Sequence, residues 1–180
     1  MELEQAIRDR RAVREYTTQP VDDALLKRLI EAAIQAPSAM NEQPWLFTVV
    51  RDKALLARIS NSKAALVASA SGAYLETLSN PAFDLLYRAP VLIVISSATN
   101  GRWAAENCAM AAQNLMLAAR AAGLGTCWIG MVQGWMSSPE GKAALQLPPD
   151  SVPVAAIIVG HTASFPPPVP RKAPEITWIG

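Results

Sequence analysis

Apolar residues lie along this chain in one long run and several short ones, separated by polar and proline-rich punctuation. From Trp103 to Ala122 there is no Pro and no Gly, and Glu106 and Arg120 are the only charges. Ala and Leu dominate the stretch, so it predicts a helix of roughly 30 Å at ~1.5 Å per residue. Apolar side chains fall on every side of the helical wheel, which means the helix is expected to be covered all round. Two readings follow: an ordinary core helix, or a central helix that also packs on a partner chain. Glu106, Asn107, Gln113 and Asn114 interrupt the run, and such groups exclude a membrane span. Gly123 supplies a C-cap, and T-C-W-I after Gly125 reads as a short strand.

The shorter runs predict the remaining elements. Leu3, Ala6 and Ile7 make a first amphipathic helix that gives way near Arg10. Asp22 is an N-cap for a second helix carrying Leu25, Leu26, Leu29, Ile30 and Ala33, expected to stop at Ala36 because Pro37 follows. Residues 46–50 form a strand, and 53–60 and 62–78 are weakly specified helices broken at Asn80-Pro81. V-L-I-V-I-S-S from Val91 and P-V-A-A-I-I-V-G from Pro153 read as buried strands, by their continuous and partly β-branched runs. Between 131 and 148 lies a connection with a short helix near Pro139–Leu145. The proline-rich tail from Phe165 runs extended, and Ile176, Trp178 and Ile179 suit one final strand. No repeat or linker divides the chain, so residues 1–180 are read as a single domain.

Composition sharpens the picture of the long helix. The 180 residues are 51% hydrophobic and 17% charged, where about 25% charged is usual. That shortage of solvating side chains favours an oligomer with an apolar interface. A net charge of +1 gives no reason to expect a nucleic-acid or membrane-surface partner. The charged start E-L-E-Q-A-I-R-D-R-R has no signal-peptide core, and the two cysteines, Cys108 and Cys127, lack metal-ligand spacing. Reduced, buried thiols and a cytoplasmic location are the expectation, with no metal.

Candidate chemistry is sparse. Arg10, Arg11 and Arg14 gather positive charge beside Val13 and Tyr16. Such a cluster is either a solvated basic surface or an anion site, because Arg forks match phosphate bidentately. The loop P-S-A-M-N-E-Q-P-W carries Ser38, Asn41 and Gln43, which are either turn formers or partners for a heteroaromatic ring edge. His161 stands alone and reads as structural. There is no Ser/His/Asp order, no P-loop and no G-x-G-x-x-G. A chain without acid–base or nucleophilic equipment, if it is an enzyme, relies on a bound cofactor.

Four stretches together resemble the nitroreductase family of flavin enzymes. They are R-R-A-V-R-E-Y at 10–16, A-P-S-A-M-N-E-Q-P-W at 36–45, A-A-Q-N-L-M-L-A-A-R-A-A-G-L-G-T-C-W-I-G at 111–130 and P-R-K-A-P at 170–174. The resemblance implies an α+β fold with a mostly antiparallel central sheet flanked by helices. It also implies an intertwined homodimer with FMN at the interface, and the long helix would then form the core of the dimer contact.

Carried over by motif, Arg10, Arg171 and Lys172 would hold the FMN phosphate. Arg14 would sit near the pyrimidine end of the ring, with Arg11 and Ala12 lining the same loop. Ala12 stands where the family often has Ser. Pro37, Ser38, Ala39 and Asn41 would contact the flavin held mainly by the other subunit. Trp128, Ile129 and Gly130 would lie against the ring face, with a backbone N–H there reaching flavin N5. The activity implied is hydride transfer from NADH or NADPH to a nitroaromatic, quinone or similar conjugated acceptor, both bound in turn at one site. Alternatives are a specialised flavin enzyme, such as a dehalogenase or a metabolite dehydrogenase, and a non-catalytic flavin carrier or sensor. Tyr74, Phe83 and Tyr87 serve as lid or as core in these readings.

Overall fold

Strand β2, Val91–Ser97, is buried over its whole length, which explains why its sequence shows no polar alternation. The computed structural model describes residues 1–180. Two helices, α1 (Leu3–Asp9) and α2 (Asp23–Ala33), precede the edge strand β1 (Trp45–Val50). Then come α3 (Lys53–Asn61), α4 (Lys63–Val67) and α5 (Gly72–Ser79) before β2, and the long helix α6 (Ala104–Ala121) after it. The chain ends with β3 (Leu124–Trp128), α7 (Gln133–Ser137), α8 (Pro139–Ala144) and β4 (Val152–His161).

The four strands order β1-β2-β4-β3, and every pairing is antiparallel. Alternation of side chains across the pleat then builds two cores. Val91, Ile93 and Ile95 with Ala155, Ile157 and Val159 face α2 and α6, where Leu29, Ala33, Cys108, Ala111 and Leu115 complete the cluster. Leu92 and Val94 with Ala156 and Ile158 face the opposite side, against Ile59, Leu85, Leu86 and Met136. Helices on both faces of an antiparallel sheet make this an α+β fold, as the resemblance implies. No helix is long and apolar enough to cross a membrane.

Several boundaries differ from the sequence expectation. Helix α2 closes at Ala33, with Ile34 as its C-cap, and a tight turn in which Ala36 N–H reaches Ala33 O (3.1 Å) fills the gap to Pro37. The predicted helix 62–78 is two helices, α4 and α5, because Gly72 adopts φ +56 at their junction. Helix α7 precedes the expected short helix, which forms as α8. Strand β3 begins at Leu124, two residues early, and turns into a 3₁₀ turn after Ile129. The final strand at 176–179 does not form within this chain. Those residues pair with no strand, and Trp178 and Ile179 are 86% and 96% exposed.

Candidate functional site

The segment 10–16 leaves α1 and runs along the free edge of β3. Val13 N–H donates to Thr126 O at 2.9 Å, and Ala12 and Thr126 form an isolated parallel bridge. The approach is close because Gly125 has no side chain: a Cβ there would meet Val13 Cγ1 at 2.6 Å and Cβ at 2.8 Å. Gly125→Ala is therefore expected to destabilise the protein by about 1–3 kcal/mol, as overpacking of a stiff β-branched neighbour does. A denaturant melt checks this, and an unchanged midpoint with an unchanged slope would mean that the edge segment is free to drift.

Pinned this way, the segment spreads its arginines over different tasks. Arg11 is spent on structure, donating to Arg8 O (2.6 Å), Arg10 O (2.8 Å) and Pro167 O (3.2 Å). Arg10 and Arg14 make no ion pair. Both lie close enough to Cys127 to oppose the rise that burial imposes on its thiol, Arg14 more than Arg10. Cys108, inside the other core, has no such neighbour, and burial pushes its thiol up to about 12. Tyr16 tucks beneath the segment with its hydroxyl donating to Val13 O (2.7 Å), and burial raises its pKa too.

At the end of β3, Ile129 is buried and its N–H donates to Ala156 O (2.8 Å). Donors on an antiparallel strand alternate in direction. The Trp128 N–H therefore points the other way, toward the edge along which the arginine segment runs. Trp128 is 37% exposed and Gly130 is exposed beside it. Of the residues from Trp128 to Gly130, Ile129 is the one whose N–H is already taken.

The loop 37–45 occupies another place. Buried Asn107, near the start of α6, accepts Ala39 N–H on Oδ1 (2.9 Å), and its backbone carbonyl accepts Trp45 Nε1–H (2.9 Å). Ser38 Oγ accepts Gln43 N–H (2.9 Å), and Gln43 Nε2 donates to Asn41 Oδ1 (3.1 Å). Met40, Asn41 and Gln43 all have positive φ, 53°, 54° and 49°. Three left-handed non-glycine residues within four positions are costly and persist where the surroundings enforce them, often at ligand clamps. Pro37, Met40 and Asn41 are exposed on this clamp, and Ser38 and Ala39 are half-buried. Asn107 was visible in the sequence only as an interruption of an apolar run.

The tail is tethered at its start and free beyond. Arg120, near the end of α6, stacks its guanidinium 3.8 Å from the Phe165 ring centroid and pairs with Asp9 at 3.6 Å. Arg11 holds Pro167. Arg171 and Lys172 follow four and five residues later, exposed, within about 18 Å of that anchor at ~3.6 Å per residue. They are thus within reach of Arg10.

Within one chain these residues form two groups, not one. Asn107 anchors the loop 37–45 and Arg120 anchors the arginine segment and tail, thirteen positions apart, or roughly 20 Å along α6 at 1.5 Å per residue. Arg10, Arg14 and Trp128 belong to one group, with Arg171 and Lys172 in reach. Pro37, Ser38, Ala39 and Asn41 belong to the other.

Comparison with known proteins matches residues 7–161 to the family model for the nitroreductase family. A Methanothermobacter thermautotrophicus protein, provisionally named NADH dehydrogenase/NAD(P)H nitroreductase, is 30% identical over 172 residues, covering 92% of this chain and 80% of its own length. An FMN-bound nitroreductase from Bacteroides fragilis superposes with a TM-score of 0.87 at 27% identity, over 100% of both chains. Another from Desulfitobacterium hafniense, also with bound FMN, gives 0.87 at 26% identity over 99% of this chain and 98% of its own. With its α+β sheet, its edge-bound arginine segment and a family model spanning most of its length, this chain belongs to the nitroreductase family.

Proposed function

We propose that the protein is an FMN-dependent oxidoreductase of the NAD(P)H nitroreductase or quinone reductase type, working as a homodimer. The observation that carries this reading is the separation of the two residue groups along α6. Neither group encloses a ligand alone. A second copy packed two-fold along α6 sets the clamp 37–41 of one chain over the arginine segment of the other. The exposed apolar residues Leu3, Ile7, Trp103 and Met110 are suited to be covered by such a contact. Relatives in two solved structures hold FMN, and a Bacillus subtilis relative at 29% identity, matched over 97% of this chain and 71% of its own length, is named FMN reductase (NAD(P)H).

The donor set fits the group. Arg10 makes no ion pair and the cationic tail residues lie within reach, so a phosphate dianion finds forked and point-charge donors together. Arg14 offers a second guanidinium free of any ion pair, and Trp128 N–H faces the same edge. When bound, FMN supplies hydride acceptance and donation at N5. Every other task falls to the chain. Arg14 would stabilise negative charge at the pyrimidine end of the ring. Trp128 N–H would orient the ring by donating to it. Donor and acceptor would occupy one open ring face in turn, and the proton that a quinone or nitro group takes up with its hydride would come from solvent at that face.

Mixing the purified protein with NADH or NADPH without oxygen is expected to bleach the flavin, and a quinone or nitroaromatic is expected to restore it. A yellow protein that never bleaches would instead support a carrier or sensor. Arg10→Ala is expected to weaken FMN binding by about 1.5–3 kcal/mol, the scale of a hydrogen bond to a charged group. Titration of the apoprotein checks it. Unchanged affinity would move phosphate binding to Arg171 and Lys172.

A further inference from the structure

The segment between α5 and β2 has no regular structure, yet it is held at many points. Lys63 Nζ donates to Asn80 O (3.0 Å) and to Phe83 O. Leu85 N–H donates to buried Ser60 Oγ (2.9 Å), and Asp84 Oδ1 accepts from Leu86 N–H (2.8 Å) and Arg88 N–H (3.4 Å). Inside this frame Tyr87 and Arg88 are both left-handed, with φ 52° and 55°. An aromatic and a long cationic residue pay for that conformation, and the bonds around them enforce it.

The forced turn has a defined product. Tyr87 meets Phe83 edge-on with centroids 5.7 Å apart, and the Arg14 guanidinium lies 5.7 Å from the Tyr87 centroid. Arg88 is turned outward, exposed, and with Arg14, Glu15, Tyr16, Phe83 and Tyr87 it lines a cavity of about 340 Å³ that Asp84 also borders. Arg8, Arg51, Arg58 and Arg120 each have a carboxylate partner, whereas Arg14 and Arg88 have none. Of the two acids on this wall, Asp84 is drawn onto backbone N–H groups and Glu15 is exposed.

We propose that this cavity is a subsite for a planar conjugated acceptor carrying a carboxylate, with its ring against Phe83 and Tyr87 and its carboxylate on Arg88. The proposal rests on the flavoenzyme reading, since that reading puts Arg14, which lines the cavity, at the flavin's edge. The volume suits a single substituted ring, being near the lower end of small-molecule pockets. Aromatic edges and faces supply the apolar wall. A guanidinium with no protein partner takes a carboxylate bidentately without first breaking an ion pair. Arg88 is then a specificity-determining residue for the acceptor, and Glu15 a brake on the binding of anions.

The test compares para-nitrobenzoate with uncharged nitrobenzene as acceptors for the FMN-loaded protein, in wild type, Arg88→Gln and Arg88→Lys. Wild type is expected to favour the carboxylate in kcat/KM by about tenfold, the scale of a charge-assisted hydrogen bond. Arg88→Gln is expected to lose that preference with nitrobenzene turnover unchanged, and Arg88→Lys to keep part of it. Benzoate titrated into the oxidised holoprotein, read by the flavin absorbance, is expected to rank the three proteins in the same order without turnover. Nitrobenzene turnover with no preference for the carboxylate in wild type, or equal losses on both acceptors in Arg88→Gln, overturns the subsite. Failure of NADH and NADPH to reduce the flavin at all would sink the flavoenzyme reading instead.

Discussion

Asn107→Ala is expected to cost about 1–2 kcal/mol of stability and to loosen FMN in the same variant. Asn107 is buried in the first turns of α6, where its Oδ1 is the acceptor for Ala39 N–H. Truncation leaves that N–H without its partner, and for a half-buried donor the loss lies toward the lower end of the roughly 1–3 kcal/mol of an unsatisfied buried one. A small void beneath the clamp adds to the loss, while removal of Asn107 Nδ2, itself buried without a partner, returns some of it. For a chain of this size the melting temperature should fall by roughly 2–8 °C. The second effect separates a local anchor from a general core residue. Met40, Asn41 and Gln43 hold left-handed conformations, so a clamp released from Asn107 relaxes toward ordinary backbone and no longer presents Asn41. Leu115→Ala, a core truncation two turns along the same helix, should lower stability with FMN affinity preserved. If both variants lose stability and neither loses FMN, the clamp does not touch the cofactor.

The inner strands of the sheet were legible because they are buried on both faces. Continuous apolar runs such as V-L-I-V-I from Val91 have only that home in a chain with helices between them. The helix 104–121 was legible for a similar reason, since nothing in it breaks a helix. The tail shows where pattern reading fails. Ile176, Trp178 and Ile179 have strand-like composition, but a strand needs a neighbouring edge, and this chain offers them none that they use. The candidate site was legible in its residue types and not in its arrangement. The arginine cluster announced cations, but which of them stays without a partner depends on Arg11 meeting the carbonyls of Arg8, Arg10 and Pro167, the last far away in sequence. Likewise nothing in the letters Y-R marks Tyr87 and Arg88 as left-handed. That conformation is imposed by Lys63 and Ser60 from elsewhere in the chain and by Asp84 within the turn.

Mixing two inactive variants is expected to restore activity, and this is the most direct test of the two-chain site. Arg10→Ala removes a phosphate donor from the arginine segment. Asn41 is best replaced by Gly rather than Ala: at φ 54° an alanine would add backbone strain of its own, whereas glycine adopts that conformation freely and removes only the side chain. Each homodimer carries the same lesion in both of its sites, so both should bind FMN poorly and turn over slowly. Arg10 and Asn41 lie on groups anchored at opposite ends of α6, through Arg11 and the tail at one end and Asn107 at the other. If one flavin takes Arg10 from one chain and Asn41 from the other, a heterodimer sorts the lesions unevenly. One site receives both mutations and the other receives neither. Subunits exchanged by unfolding and refolding together should then recover activity toward half that of wild type per heterodimer, with one tightly bound FMN for each. The FMN stoichiometry matters as much as the rate, because it is read without choosing an acceptor. Should proven heterodimers stay as inactive and as weakly loaded as their parents, Arg10 and Asn41 serve the same flavin from one chain, and the two-fold arrangement along α6 is wrong.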